Sequence, residues 1–88
     1  MTLAAPSTVT VRVLLFARYA EVFGADAVTL DLPAPATVAD VVRRLRDAPG
    51  GDALPPRPLC AVNLTQVSEA APLAAGDEVA VLPPLAGG

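Results

Sequence analysis

Histidine, lysine and tryptophan are all missing from this chain of 88 residues. Without histidine a metal site loses its commonest ligand, and no metal is expected. The same gap rules out a Ser-His or Cys-His nucleophile. A single cysteine excludes an internal disulfide, which fits a reducing compartment, so a cytoplasmic location is expected. No apolar run approaches the roughly 18 residues of a membrane span, and no secretory leader precedes the first strand, so no membrane association is expected. All six basic residues are arginine and the formal charge is −3, with no basic cluster, so nucleic acid is not an expected partner. The missing lysine fits a coding bias toward Ala, Pro, Arg and Gly. Aromatic residues make up only 3% of the chain, so a core must be built from Val, Leu and Ala. The 53% hydrophobic content suffices for one small domain.

What is present is patterned. Residues 1–7 read as a disordered, proline-containing lead. From Thr8 the chain alternates. Val9, Val11, Val13 and Leu15 form one face of a strand; Thr10, Arg12, Leu14 and Phe16 form the other, which turns apolar at its far end. Ala17 to Phe23 reads as a short helix closed by Gly24. Val28 to Leu32 reads as a second strand, stopped by Pro33 and Pro35.

The strongest helix signal is "TVADVVRRLRDA". Thr37 and Asp40 form a capping-box-like pair, a hydroxyl for the orphan N–H groups and an acid near the positive end of the dipole. Val38, Val41, Val42 and Leu45 recur at i, i+3, i+4 and i+7, one apolar stripe. Arg43, Arg44 and Arg46 take the opposite side, where a solvated face is expected, and Pro49-Gly50-Gly51 ends the helix. Asp47 to Pro58 carries little helix or strand signal and reads as a mobile loop. "PLCAVNL" restarts a strand, with Cys60 and Val62 on one face and the thiol expected to be buried. "TQV" is its hairpin return. Leu73 is expected to tuck inward from a turn over Pro72 to Gly76, and Glu78 to Leu82 forms the last strand. The order is strand, short helix, strand, long helix and three strands. It predicts an α+β fold, one helix packed across one face of a sheet.

The segments "VRVLLFARYAEVFG", "TVADVVRRL" and "AVNLTQVSEAAPLAAGDEVAVLPPLAGG" together resemble the molybdopterin synthase small subunits, ubiquitin-like sulfur carriers of the MoaD/ThiS type. The resemblance runs from about Val11 to Gly88. Its carriers are Phe-Ala after the first strand, Val-Asn before the hairpin, Gly-Asp-Glu-Val entering the last strand, and Pro-Pro-x-x-Gly-Gly at the end. One departure is in the first helix. Family members often place an arginine before the glutamate; here Ala20 precedes Glu21, and Arg18 stands about a turn earlier. The resemblance implies a β-grasp, with a mixed sheet and one main helix over residues 8–82, and a flexible tail over residues 83–88.

It also implies the chemistry. The reacting group would be the terminal carboxylate of Gly88, adenylated by a separate E1-like enzyme that consumes ATP, then converted by a persulfide sulfur donor to a thiocarboxylate. The chain itself would bind no cofactor and would not be catalytic alone. The sulfur would attack a cyclic pyranopterin precursor held by the synthase large subunit, in an expected heterotetramer with two copies of each subunit. The residue types suit that work. Pro83 and Pro84 fix φ and cannot extend a ladder, so they start a stiff arm. Leu85 and Ala86 follow, and Gly87 and Gly88 permit close backbone approach in a narrow channel. From Pro83 onward the arm reaches about 20 Å at most. In a β-grasp the first and last strands lie side by side, so Leu14, Phe16 and Leu82 are expected to form an apolar docking patch. Other readings are a sulfur carrier for thiamine thiazole, tRNA or cysteine; a ubiquitin-like modifier joined through Gly88 to lysines of target proteins; and an interaction module with an inert terminus.

Overall fold

A computed structural model describes residues 7–84; the N-terminal lead up to Pro6 and the tail positions Leu85 to Gly88 lie outside the described residues. Strand β1 (Thr8–Leu15) follows the alternation read from its sequence, with Val9, Val11, Val13 and Leu15 all buried. A turn at Ala17, whose φ is 51°, leads into α1 (Arg18–Phe23). Gly24, at φ 75°, closes that helix by donating its N–H to the Ala20 carbonyl. This left-handed closure is what a glycine just past a helix provides. Strand β2 (Ala27–Pro33) returns antiparallel to β1, with Leu14 opposite Ala27 and Thr8 opposite Pro33.

Helix α2 (Val38–Arg46) buries Val38, Val41, Val42 and Leu45, the stripe expected from their spacing. Its start is tied down on three sides. The Asp40 carboxylate accepts the Thr37 backbone N–H at 2.8 Å, the returning half of a capping box. The next N–H groups, of Val38 and Ala39, donate to the carbonyls of Ala71 at 3.0 Å and Glu69 at 2.9 Å. These bonds accompany a two-stranded ribbon, β3 (Ala36–Thr37) against β6 (Pro72–Leu73), which no sequence pattern announced. Four helix N–H groups would otherwise lack partners, so the ribbon satisfies donors as well as holding Leu73 inward.

Strands β4 (Leu59–Val62) and β5 (Thr65–Val67) form the expected hairpin, and β7 (Glu78–Leu82) ends the fold. The main sheet has the order β2-β1-β7-β4-β5. β1 and β7 run parallel, side by side, while β4 is antiparallel to β7. Each strand contributes its inner face to one core against α2, including Val13, Val79, Val81 and Cys60. Burial of a Val- or Leu-sized side chain is worth about 1.5–3 kcal/mol, so a core this poor in aromatics still suffices. The α+β expectation is met: a mixed sheet with one main helix across it.

Asn63 explains why a Val-Asn pair and a Gly-Asp-Glu-Val run occur together. Asn63 and Leu64, at φ 47° and 75°, make a two-residue hairpin turn of the kind that favours asparagine first. The Asn63 side chain then accepts the Glu78 N–H and donates to Asp77, both at 3.0 Å. The hairpin tip is thereby fastened to the entry of β7.

Candidate functional site

The parallel pairing of β1 and β7 decides what the outer face of the sheet presents. Val13 pairs with Val79 and Leu15 with Val81, all inward; Arg12 pairs with Glu78 and Leu14 with Ala80, all outward. Both strands run to the same end of the sheet. That end is apolar: Leu14, Ala80 and Leu82 lie on it, joined by Leu59 and Ala61, which β4 sets opposite Leu82 and Ala80. The other end carries Arg12, Glu78, Thr29 and Asp31. A patch with a polar border is thus built from the period of two along each strand.

Phe16 stands just beyond the end of β1 and is 43% exposed. It shares a shallow depression with Leu14, Ala20 and Ala27, which Arg12 and Asp26 also line. Leu14 and Leu82 are half-buried. Leu14 and Leu82 therefore occupy one end of one face, and Phe16 lies beside Leu14 just past the end of β1. Leu59, Ala61 and Ala80 were not singled out, although Leu59 and Ala61 alternate with the inward Cys60 and Val62. Ala80 sits between Leu14 and Ala61 across the sheet.

The tail root adjoins this end. Pro83 and Pro84 line a cleft of about 410 Å³ together with Arg18, Tyr19, Asp52, Ala53, Leu54 and Pro55. Arg18 is thus beside the tail root although it is displaced in sequence from the family's usual arginine position. Tyr19 is 1% exposed, and burial pushes its phenol above the ordinary value, with Arg18 opposing the rise. The far wall comes from the loop after α2, which is not the loose segment its composition suggests. It holds a 3₁₀ turn at Gly51–Ala53, and Leu54 is buried. The Arg46 guanidinium donates to the Leu54 carbonyl at 3.2 Å and the Pro55 carbonyl at 3.0 Å. Arg46 is therefore not merely part of a solvated face. Leu85, Ala86, Gly87 and Gly88, the rest of the arm and its reacting end, lie outside the described residues.

The remaining reactive side chain points elsewhere. Cys60 is 2% exposed in the core, and burial pushes its thiol up to about 11. A thiol held protonated at neutral pH is a poor nucleophile. Among the described residues no group of three or more acidic, histidine or cysteine side chains is placed to hold a metal ion, and no helix is long and apolar enough to cross a membrane.

Comparison with known proteins agrees with this geometry. The model of the ThiS family matches residues 13–88. Small archaeal modifier protein 1 (SAMP1) from Haloferax volcanii is 30% identical, with a TM-score of 0.77, the alignment covering 90% of this chain and 99% of that one. A candidate molybdopterin converting factor subunit 1 from Pyrococcus furiosus is 29% identical, also with a TM-score of 0.77, over 88% and 99% of the two chains. A chain in the complex of molybdopterin-converting factor subunits 1 and 2 from Helicobacter pylori shares the fold at 20% identity, with a TM-score of 0.66, over 90% and 99%. No curated protein matches the chain. A match over so much of the length, on a sheet of this order with its apolar end beside the tail root, makes the chain a member of the ThiS family, with that family's ubiquitin-like β-grasp fold.

Proposed function

We propose that this chain is a sulfur carrier and the small subunit of a molybdopterin synthase. The observation that carries the reading is the parallel β1–β7 pair. It brings the apolar outer end and the tail root to the same edge of the molecule, so one contact can hold the fold while the arm enters a partner. Binding through an exposed apolar patch with a polar rim fits a protein partner. The likeness to a candidate molybdopterin converting factor subunit 1 from Pyrococcus furiosus supports a large synthase subunit in that place, and the Helicobacter pylori complex of subunits 1 and 2 contains a chain of the same fold.

The chemistry belongs to the Gly88 carboxylate. A carboxylate has no good leaving group, so an E1-like enzyme must first attach AMP to it from ATP, releasing pyrophosphate. The terminal sulfur of a persulfide then displaces AMP, and a thiol cleaves the sulfur–sulfur bond, leaving a thiocarboxylate. That soft anion attacks the pyranopterin precursor. The chain supplies position rather than catalysis: a core-anchored β7, two prolines that stiffen the exit, and glycines at the reacting end.

A second reading is favoured by a specific relative. The resemblance to small archaeal modifier protein 1 supports a ubiquitin-like modifier, which would use the same activation but form an amide with a target lysine. This chain has no lysine, so as a modifier it could not extend side-chain-linked chains upon itself. Reconstitution separates the two. A thiocarboxylated sample mixed with a synthase large subunit and the pterin precursor yields molybdopterin under the first reading. It yields none, while lysine-linked conjugates accumulate in cells, under the second.

A further inference from the structure

We infer that the Leu54–Pro55 segment is a fixed wall that aims the tail, and that Arg46 is the positioning residue that holds it. The inference rests on the carrier reading and names a control of that same terminus. Prolines make the direction of exit matter. Pro83 and Pro84 have φ fixed near −65°, and Pro84 keeps the ψ of Pro83 extended, so an arm that starts on them is re-aimed chiefly through the ψ of Pro84. What flanks the root then limits that one rotation. On one side are Arg18 and Tyr19 of α1, backed by the core. On the other are Leu54 and Pro55.

That second wall has no sheet or long helix of its own. Three contacts hold it. Leu54 is 5% exposed and packs into the core. Gly51 is buried against the backbone carbonyls at the end of α2. Arg46 spans the Leu54 and Pro55 carbonyls with two nitrogens of one planar group. A guanidinium fits that pair of acceptors as a fork; an ammonium is a single point charge and serves one at a time. Arg46 is not among the residues that line the cleft with Pro83 and Pro84. Its effect on the terminus must pass through the wall.

The test uses the full chain with its activating enzyme and ATP, following adenylation of the terminus with kcat and KM determined separately. Misplacing reacting groups by an ångström costs on the order of 100-fold, so a partly released wall in Arg46→Gln is expected to lower kcat about tenfold or more. KM should stay within about twofold, because the outer patch is untouched. Arg46→Lys should fall between the two. An Arg46→Gln kcat within about twofold of the parent overturns the inference, as does a loss confined to KM. So does an equal kcat loss in Leu45→Val, a core variant in which both of the wall's carbonyl contacts remain. A readout independent of activity accompanies these: nuclear Overhauser contacts from Leu54 and Pro55 to the Pro83–Pro84 pair. Their loss in Arg46→Gln, with core contacts retained, supports the wall; their survival overturns it. A parent chain that the enzyme never adenylates defeats the carrier reading alone, and the nuclear Overhauser comparison still decides the role of Arg46.

Discussion

Replacing Gly51 by alanine is expected to destabilise the domain by about 2–3 kcal/mol, the upper part of the range for forcing an extra methyl into a packed site. The reason is spatial. A Cβ at Gly51 would collide with the carbonyl oxygen of Arg46 and sit 2.6 Å from that of Leu45. Both obstacles are backbone, at the end of a helix whose apolar stripe is locked in the core, so neither can swing aside as a side chain would. Relief requires the 3₁₀ turn to lift and Leu54 to leave its buried position. At roughly 4–8 °C per kcal/mol for a domain of this size, melting should fall by about 10–20 °C. Gly24→Ala is the control. It meets nothing within 4 Å, but its φ of 75° adds the ordinary left-handed penalty of about 1–2 kcal/mol. Thermal unfolding followed by circular dichroism compares the two. A Gly51→Ala melting point within about 3 °C of the parent would show that the turn does not pack on α2 as described.

The capping carboxylate gives a pH test. The Thr37 N–H, and then the Arg43 guanidinium, hold Asp40 below the usual carboxylate range against the opposing effect of burial. A folded pKa below the unfolded one means that Asp40 stabilises fully above about pH 4 and loses that contribution as pH falls through the lowered value. Asp40→Ala should cost about 1 kcal/mol at neutral pH and flatten the acid limb of the stability curve. A variant curve parallel to the parent's in acid would refute it. On the outer face, Phe16→Asp should leave urea stability within about 0.5 kcal/mol and weaken capture by a synthase large subunit about 30-fold, the loss typical of a buried hot spot. Unchanged affinity by calorimetry would remove Phe16 from the docking surface.

Where local patterns dominate, the sequence was readable. The β1 alternation and the α2 stripe assigned Val9, Val11, Val13 and Leu15, and Val38, Val41, Val42 and Leu45, to the core correctly, because burial on one face imposes a period of two or of 3.6. Thr37 and Asp40 could be paired for the same reason: a capping box acts within one turn. The β3–β6 ribbon escaped, since two residues per strand carry no period. The segment after Asp47 was misread because its order comes from partners remote from any motif: the Arg46 fork, the space at Gly51 that only glycine fits, and one buried leucine. Leu54, the lone large apolar residue there, was the available signal. For the site, the neighbouring of the first and last strands came from the family resemblance, and so the shared end of Leu14 and Leu82 was foreseen. The register that inserts Ala80 between Leu14 and Ala61 was not, because pairing offsets leave no mark in either strand alone.

The most direct measurement is the intact mass of the chain expressed together with its own activating enzyme and a persulfide donor, with fragmentation to locate any change. Exchange of one oxygen for sulfur, confined to the fragment that ends at Gly88 and abolished by deleting Gly88 without a change in melting temperature, is the expected result. An unaltered terminus, or material recovered only as lysine-linked conjugates of other proteins, contradicts a sulfur carrier.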